Sequence, residues 1–431
     1  MNAVITPHKF TGTVKIPASK SHTIRQLLIS SLADGESEIK RPLDSLDTRS
    51  CIEACKAFGA EIEEIYNDNN ELVSLKIIGN NNFKMSVVSN QIDVGNSGTT
   101  LYLALAVAAL QSQSIEFTGD ESIQKRSAAS LLEALAGLDI QVQSNNGCAP
   151  ITIKGGWKGG KVSLPCPTSQ YLSALLIAAP LAPADTVTEI EVPLLNEKPY
   201  IDMTLSYLNS NNIPFESSSD YSYFKIPGGA SWKSFSSAVP ADFSSAAFPA
   251  AAAAITGGPV ILLGLDPNDT QGDKYFFEIL KKMGCNVLWQ KDKNNEHTVT
   301  VSRNGVLCGG TFDLNKTPDL LPAAAVVAAY AHGDTAFINV AHARIKETDR
   351  IAVMVKELAK LGVSCTELPD GLIIHGKGFL SALEKTVIEG HGDHRIVMAF
   401  AVAALGANFP IEITTAECAD VTYPGFLNLL V

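Results

Sequence analysis

The stretch VVAAYAHGDTAFINVAHARIKETDRIAVMVKELAKLGVSC, residues 326–365, holds the pattern from which the whole chain is built. A run of small apolar residues is followed by a Gly-Asp turn, a short strand-like segment, a polar turn and a second helical pattern ending at Leu361-Gly362. Apolar residues at helical spacing predict a helix, and a short β-branched or aromatic segment bounded by turn residues predicts a strand. The stretch therefore predicts one compact α/β unit.

The same order of features recurs along the chain. Similar segments cover residues 28–62, 106–140, 176–213 and 251–287, and a truncated copy covers 402–430. The turn that closes the second helix falls at equivalent positions, at Gly59, Gly137, Asn211, Gly284 and Gly362. A period this regular indicates six similar α/β units. At 431 residues the chain is too long for one ordinary core, so two domains of three units each are expected.

Composition narrows the class of protein. The net charge of −12 argues against nucleic acid as a partner. None of the eight cysteines has C-x-x-C spacing, so we expect neither a disulfide framework nor a metal site, and a reducing, cytoplasmic setting. The opening residues MNAVITPHKF lack the apolar core of a secretory signal, and the longest apolar runs are too short to cross a membrane.

The segment SKSHTIR, residues 19–25, places an ammonium, a hydroxyl and a guanidinium at the start of an apolar helix. Arg25 is expected about one helical turn beyond Ser21. A helix N-terminus already offers free N–H groups to anions, so Lys20, Ser21 and Arg25 suggest an anion site. The alternative is a capped surface helix with solvated charges.

Two further helix starts carry polar groups. DVGNSGTT, residues 93–100, contains Gly98, where backbone amides can approach a ligand closely. PTSQ, residues 167–170, places Thr168, Ser169 and Gln170 ahead of a buried helix. Each motif alone is also compatible with an ordinary helix cap.

Charged motifs with acids complete the pattern. In RIKETDR, residues 344–350, a helical reading puts Lys346 and Arg350 on one face with Glu347 beside Arg350. Arg126, Asp319 and Arg395 also precede or begin apolar helices. If these helix starts converge, they form an anion-attracting site in which Asp319 and Glu347 could transfer protons. Substrates with phosphate and carboxylate groups are then expected.

At these residues the chain resembles the EPSP synthase family of enolpyruvyl transferases. The motifs that carry the resemblance span the full length, and they are SKS with Arg25, GNSGTT (95–100), KR (125–126), TSQ (168–170), KPYID (198–202), D-x-S-S (242–245), PD (318–319), KETDR (346–350) and DHR (393–395). The resemblance implies an α/β fold, a two-domain inside-out α/β barrel with three βαβαββ repeats per domain. It also implies domains at 1–19 with 241–431 and at 20–240, with the active site in the cleft between them.

The reaction implied by the resemblance transfers the enolpyruvyl group of phosphoenolpyruvate to the 5-hydroxyl of shikimate 3-phosphate and releases phosphate. The resemblance implies catalytic roles for Asp319, Glu347 and Lys20. The residues implied to bind shikimate 3-phosphate are Ser21, Arg25, Thr168, Ser169, Asp319 and Lys346. Those implied to bind phosphoenolpyruvate are Lys20, Gly98, Arg126, Gln170, Arg350 and Arg395. No metal or cofactor is expected, and the protein is expected to act as a monomer without nucleic acid or membrane partners.

Four positions depart from the family pattern. Tyr102 stands where most members have arginine, Val421 where many have lysine, His342 where asparagine is usual, and Glu197 where serine is usual. Loss of two cationic contacts is expected to weaken phosphoenolpyruvate binding, and inhibition by glyphosate is expected at that same subsite. Two alternatives remain open at this point: a silent homologue that binds a phosphorylated ligand, and a UDP-N-acetylglucosamine enolpyruvyl transferase.

Overall fold

A computed structural model describes residues 1–81, 87–293, 295–381 and 386–430 of the chain. Its α-helices, in chain order, are α1 (Lys20–Leu32), α2 (Leu46–Ala57), α3 (Gly98–Ala108), α4 (Ala129–Gly137), α5 (Gln170–Ala178), α6 (Lys198–Ser210), α7 (Phe243–Thr256), α8 (Tyr275–Lys282), α9 (Leu321–Ala329), α10 (Arg350–Lys360), α11 (His394–Leu405) and α12 (Phe426–Leu429). Short 3₁₀ segments are Ile123–Lys125, Ala179–Leu181, Gly272–Lys274, Pro318–Leu320, Ala341–Ile345 and Ala416–Val421.

The strands are β1 (Ala3–Ile5), β2 (Gly12–Lys15), β3 (Glu36–Lys40), β4 (Glu61–Tyr66), β5 (Leu72–Ile78), β6 (Gln91–Asp93), β7 (Ser114–Thr118), β8 (Gln141–Asn145), β9 (Cys148–Lys154), β10 (Gly160–Ser163), β11 (Val187–Glu191), β12 (Glu216–Ser217), β13 (Tyr223–Pro227), β14 (Ser236–Ala238), β15 (Val260–Leu263), β16 (Asn286–Lys291), β17 (His297–Ser302), β18 (Leu307–Cys308), β19 (Thr311–Asp313), β20 (Ala331–Ile338), β21 (Ser364–Leu368), β22 (Gly371–Lys377), β23 (Val387–Ile388) and β24 (Ile411–Ile413).

The chain divides into two compact units. One comprises Met1–Ser19 with Pro240–Val431, and the other comprises Lys20–Val239. These ranges differ from those expected from the sequence only in the assignment of Pro240. We refer to them as the discontinuous unit and the continuous unit.

The continuous unit contains three four-stranded sheets with one shared topology. Their strand orders are β14-β3-β5-β4, β6-β7-β9-β8 and β10-β11-β13-β12. In each, the first two strands run parallel and the remaining pairs run antiparallel. A parallel pair needs a crossover, here a helix, whereas the antiparallel pair closes through a short turn. The repeat seen in the sequence is therefore this β-α-β-α-β-β unit.

The discontinuous unit repeats the same arrangement. Its sheets are β16-β17-β15-β2, then β18-β20-β22-β21 with β19 also on β20, and the three-stranded β1-β24-β23. Strand β2 precedes α1 in sequence but pairs in parallel with β15, while β14 precedes α7 but pairs in parallel with β3. In each unit, therefore, one repeat takes its first strand from a part of the chain that is distant in sequence from the rest of that repeat.

The central helices are apolar on every face because they are covered on every face. All residues of α3 and α11 are buried, and α11 packs on both α7 and α9 within the discontinuous unit. Alanine-rich surfaces let these helices approach closely, and sheets cover their outer sides. In contrast, α10 has a polar outer face.

The turn positions that marked the repeat close the outer helices. Gly59, Gly284 and Gly362 adopt φ values of 98°, 101° and 73° just beyond α2, α8 and α10. This left-handed conformation ends a helix and is accessible to glycine without steric cost. Each turn then leads directly into a hairpin strand. Across the described ranges, the structure contains no helix with the length and apolarity needed to traverse a bilayer.

Candidate active site

Arg350 is the centre of a charged group in the discontinuous unit. Its side chain is only 1% exposed and contacts three carboxylates. Nη1 lies 2.9 Å from Asp319, Nη2 lies 2.5 Å from Glu347, and Nε lies 2.8 Å from Asp393. Burial lowers the pKa of Arg350, but the carboxylates outweigh this effect and raise it above its ordinary value. The guanidinium is therefore a fixed cation that holds three acids in place.

Asp319 receives donors from several cations at once. Besides Arg350, its carboxylate is 3.0 Å from Arg395 Nη2 and 3.8 Å from Lys346 Nζ. Burial raises the pKa of this carboxyl, but the surrounding cations prevail and hold it well below its usual range. Asp319 is therefore ionised at neutral pH and can accept a proton.

We call Asp319, Lys346, Glu347, Arg350, Asp393 and Arg395 the acid–guanidinium cluster. It brings together all five residues that the sequence predicted for this part of the chain. The cluster contains three cations and three acids, so its charges balance. An anionic ligand can therefore bind the guanidiniums only by replacing carboxylates of the cluster.

The helical reading of RIKETDR is wrong. Helix α10 begins only at Arg350, and Lys346 and Glu347 precede it in irregular chain after the 3₁₀ segment Ala341–Ile345. The reason is Asp349, whose side chain accepts the Ala352 backbone N–H at 3.0 Å and caps the helix. Glu347 still contacts Arg350, but through the turn before the helix.

Asp393 is a member of the cluster that sequence reasoning did not assign. It is completely buried, caps α11 by accepting the Arg395 backbone N–H at 2.9 Å, and bonds Arg350 through both oxygens. Burial raises its pKa, but Arg350 reverses the effect and lowers it. The DHR motif gave a signal only for its arginine, because an aspartate at a helix start is normally read as a cap.

Asp273 is a further buried acid of the discontinuous unit, and it is influenced by the charges of Asp319 and Arg395. It is buried, accepts a hydrogen bond from Ser244 through Oδ2, and its Oδ1 has no partner within the described ranges. Burial, reinforced by the charge of Asp319, raises the pKa of Asp273 to about 7. The D-x-S-S motif is explained here, since Asp242 caps α7 through Ser245 and Ser244 donates to Asp273.

We expect Asp273→Asn to remove a pH-dependent loss of stability. Because its folded-state pKa lies above the ordinary value, the folded protein keeps a proton that the unfolded chain has released, so stability falls as pH rises from about 4 to about 7. Between pH 5 and pH 8 the free energy of unfolding of the wild type should fall by roughly 2–3 kcal/mol because of this group, and that of the variant should not. Chemical denaturation at both pH values measures the difference. Asp313→Asn, an exposed carboxylate of the same unit, is the control, and equal pH dependence in all three proteins would contradict the assignment.

In the continuous unit, Lys20 is the first residue of α1. Its Nζ lies 2.9 Å from Asp47 Oδ2, and the other oxygen of Asp47 is buried with no partner within the described ranges. Asp47 lies in the first turn of α2, where sequence alone reads an acid as a dipole partner. The ammonium is thus held by one carboxylate and keeps donors for a ligand.

Arg25 lies deeper than its neighbour Lys20. Its side chain donates to Thr204 Oγ1 at 2.9 Å, to Ser173 Oγ at 3.2 Å and to the Ser21 carbonyl at 3.2 Å. The spacing of Ser21 and Arg25 across one helical turn is therefore confirmed. Burial lowers the pKa of Arg25 to about 10, and no carboxylate of the described chain forms an ion pair with it. A buried guanidinium served only by neutral oxygens is suited to an anionic ligand.

Gly98 and Arg126 lie against each other. A Cβ on Gly98 would be 2.7 Å from Arg126 Nη1, too close for contact, and 3.7 Å from the ring of Tyr102. Tyr102 donates to the Ser127 carbonyl at 3.2 Å and packs edge-on against Tyr171. Tyr102 therefore fills this position by packing and supplies no cation to replace the arginine usual in the family.

We propose that Gly98 and Arg126 bind phosphoenolpyruvate, as the family resemblance implies, and we then expect substitution of Gly98 by alanine to weaken that binding. The added methyl group must displace the guanidinium of Arg126, which loses a charge-assisted contact of about 1.5–3 kcal/mol. We expect KM for phosphoenolpyruvate to rise about 10- to 100-fold, with a much smaller change in KM for shikimate 3-phosphate. Initial-rate kinetics measure both. Gly305→Ala is the control, because a Cβ there meets nothing within 4 Å; an unchanged KM in Gly98→Ala would separate Arg126 from this subsite.

Thr168 and Ser169 both donate their hydroxyl protons to Glu197 Oε2, each at 3.0 Å. Ser169 occupies the N-cap position of α5, but its hydroxyl makes no capping bond. Thr168 Oγ1 also accepts the Gln170 backbone N–H at 3.5 Å. A charged carboxylate is a strong acceptor for these two hydroxyl donors. Gln170, the first residue of α5, has a buried Oε1 with no partner in the described ranges.

Two further departures from the family pattern lie in 3₁₀ segments of the discontinuous unit. Val421 ends the 3₁₀ segment Ala416–Val421. His342 is buried within Ala341–Ile345.

Comparison with known proteins identifies the family. A sequence model of the family described as EPSP synthase (3-phosphoshikimate 1-carboxyvinyltransferase) matches residues 4–430. A curated 3-phosphoshikimate 1-carboxyvinyltransferase from Acetivibrio thermocellus is 45% identical over 424 residues, covering 98% of this chain and 96% of that protein. One from Ruminiclostridium cellulolyticum is 42% identical, covering 97% of this chain and 95% of that protein. The solved EPSP synthase of Acinetobacter baumannii matches with TM-score 0.80 at 29% identity, covering 99% of this chain and 97% of that chain.

The chain belongs to the EPSP synthase family. The resemblance read from the motifs is confirmed, and so is the predicted fold, an α/β protein of six repeats with the inside-out α/β architecture of the family.

Proposed function

We propose that this chain transfers the enolpyruvyl group of phosphoenolpyruvate to the 5-hydroxyl of shikimate 3-phosphate, giving 5-enolpyruvylshikimate 3-phosphate and phosphate. This is the shikimate-pathway step that leads to chorismate and the aromatic amino acids. Identity of 45% to a curated 3-phosphoshikimate 1-carboxyvinyltransferase, over 98% of the chain, carries the proposal. The intact acid–guanidinium cluster supports it.

The chemistry needs three proton transfers and no redox step. The 5-hydroxyl oxygen attacks C2 of phosphoenolpyruvate and loses its proton, while C3 gains a proton. The resulting tetrahedral adduct then loses a proton from C3 as the C2–O bond to phosphate breaks. Phosphate leaves with the electron pair of that bond, so no cofactor or metal is required.

Asp319 is the proposed acceptor of the hydroxyl proton. It is ionised, but contacts with Arg350 and Arg395 make it a weak base in the free protein. Anionic groups of phosphoenolpyruvate compete for those same guanidiniums. We infer that substrate binding weakens these contacts and thereby raises the basicity of Asp319 when it is needed.

Glu347 is the proposed proton donor to C3; its carboxylate must first take a proton from solvent, and it recovers one from C3 when phosphate leaves. It lies on the same guanidinium as Asp319, with Arg350 Nη2 at 2.5 Å from Glu347 and Nη1 at 2.9 Å from Asp319. One rigid group therefore fixes the spacing of the two proton-transferring acids. Pre-organised groups of this kind contribute to catalysis because they need no rearrangement during the reaction.

The two substrates are assigned to separate residue sets. Bidentate guanidiniums match both phosphate and carboxylate oxygens. The set proposed for phosphoenolpyruvate is Lys20, Gly98, Arg126, Gln170, Arg350 and Arg395. The set proposed for shikimate 3-phosphate is Ser21, Arg25, Thr168, Ser169, Lys346 and Asp319. We also propose that the protein works as a cytoplasmic monomer, and that glyphosate competes with phosphoenolpyruvate.

Mass spectrometry of the product tests the acceptor. Purified protein is incubated with phosphoenolpyruvate and either shikimate 3-phosphate or UDP-N-acetylglucosamine. The proposal predicts an enolpyruvyl adduct of shikimate 3-phosphate alone. An adduct of the nucleotide sugar would overturn it, and adducts of neither, with binding of shikimate 3-phosphate retained in a calorimeter, would identify a binding protein.

A further inference from the structure

Glu197 carries a carboxylate inside a ready-made anion site. The residue is 1% exposed, and its Oε2 accepts hydrogen bonds from Thr168 Oγ1, Ser169 Oγ and the Ser169 backbone N–H, each at 3.0 Å. Convergence of three donors on one oxygen, at the N-terminus of a buried helix, is the arrangement that proteins use for phosphate and carboxylate oxygens. Thr168 and Ser169 are also the residues assigned above to shikimate 3-phosphate.

A buried cation lies within electrostatic reach of this carboxylate. Among the residues that the structure describes, the hydrogen-bond partners of Arg25 are neutral oxygens, including the Tyr200 carbonyl at 3.4 Å, three residues beyond Glu197 in the chain. The negative charge of Glu197 is among the influences that support the charged form of Arg25 against burial. Arg25 therefore makes the electrostatic potential of the subsite positive, and the negative charge of Glu197 partly cancels it.

The backbone at Glu197 is unusual. Its φ and ψ are 57° and 40°, in the left-handed region, and it stands at the N-cap position of α6 without capping that helix. Left-handed backbone at a non-glycine residue is strained and persists where surrounding contacts over-determine it. Its side chain contacts Thr168 and Ser169, so it is directed at the subsite and away from its own helix.

We propose that Glu197 is a resident anion in the phosphate subsite, which the 3-phosphate of shikimate 3-phosphate must displace when it binds. This inference rests on the proposed function, because it assigns the phosphate to Thr168 and Ser169. The resident carboxylate satisfies the donors in the free protein and selects for a dianion strong enough to replace it. It thereby sets the affinity for the acceptor substrate without entering the chemistry.

The test compares Glu197→Ser and Glu197→Gln with the wild type. Serine removes both the charge and the occupying group, whereas glutamine keeps the size and removes the charge. We expect KM for shikimate 3-phosphate to fall about 10- to 100-fold in Glu197→Ser and by a smaller factor in Glu197→Gln. We expect kcat and KM for phosphoenolpyruvate to change less than about threefold, since uniform binding alone is affected. Glu216→Ser, an exposed carboxylate of the same unit, is the control for net charge.

Calorimetry with inorganic phosphate and with shikimate 3-phosphate makes the outcome independent of turnover. Tighter binding of both by Glu197→Ser, even with no transfer in any variant, would support the resident anion while the proposed function failed. If both variants fold, transfer the enolpyruvyl group normally and bind phosphate and shikimate 3-phosphate no more tightly than the wild type, the resident-anion proposal is wrong. The proposed function would still hold. If Glu197→Ser does not fold, Glu197→Gln decides alone, since loss of charge must still tighten binding. Better turnover of unphosphorylated shikimate than of shikimate 3-phosphate by the wild type would also overturn the proposal.

Discussion

Asp319→Asn is expected to lower kcat about 10²- to 10⁴-fold, the usual contribution of a positioned general base. Asparagine keeps the size of the side chain and its one oxygen can still accept a hydrogen bond from Arg350 or from Arg395, which lie 2.9 Å and 3.0 Å from the two different oxygens of Asp319. It cannot take the proton of the 5-hydroxyl. The loss should therefore appear mainly in kcat, with KM for phosphoenolpyruvate changed far less.

Steady-state kinetics and a thermal melt together decide this prediction. Asp313→Asn removes an exposed carboxylate of the same unit and should leave kcat within about twofold of the wild type. A folded Asp319→Asn protein with near-normal kcat would show that another group accepts the proton. A large rise in KM for shikimate 3-phosphate at unchanged kcat would instead show that Asp319 binds this substrate and does not accept its proton.

Arg350→Leu is expected to destabilise the discontinuous unit by about 3–5 kcal/mol, because it leaves Asp393 buried without its counter-charge. For a unit of this size, that loss corresponds to a fall in Tm of roughly 6–20 °C. Differential scanning calorimetry measures it. Lys281→Leu, which removes an exposed ion pair with Glu278, should cost no more than about 1 kcal/mol.

A double variant separates charge from packing in this prediction. Arg350→Leu with Asp393→Asn removes both buried charges and keeps an oxygen to cap α11 at the Arg395 N–H. Stability should recover part of the loss, since uncompensated burial of the carboxylate is the main cost. If the double variant is no more stable than Arg350→Leu alone, the loss comes from packing and the charge argument is wrong.

The repeat and its fold could be predicted from the sequence because their signals are local. Small-residue helices, turn glycines and short strands recur at a steady spacing, and each feature depends on a few neighbouring residues. The pairing of β2 with β15, and of β14 with β3, had no such signal, since it joins strands that are far apart in the sequence of their unit.

Site residues were predictable where a motif named them and unpredictable where a contact defines them. Lys346 and Glu347 fit a helical spacing, but the cap at Asp349 set the start of α10 and the helical interpretation failed. Neither Asp47 nor Asp393 was assigned a role from the sequence, because their partners Lys20 and Arg350 are distant from them along the chain. The sequence shows that Glu197 departs from the family pattern. It does not show that the Glu197 carboxylate accepts hydrogen bonds from Thr168 and Ser169.

Phosphate release by the purified protein, followed with both substrates and with each omitted in turn, tests whether this chain is an enolpyruvyl transferase. We expect release that requires shikimate 3-phosphate and phosphoenolpyruvate together and that collapses in Asp319→Asn. No release by the folded wild type with both substrates present, or release from phosphoenolpyruvate alone, would contradict the assignment of this chain as an enolpyruvyl transferase.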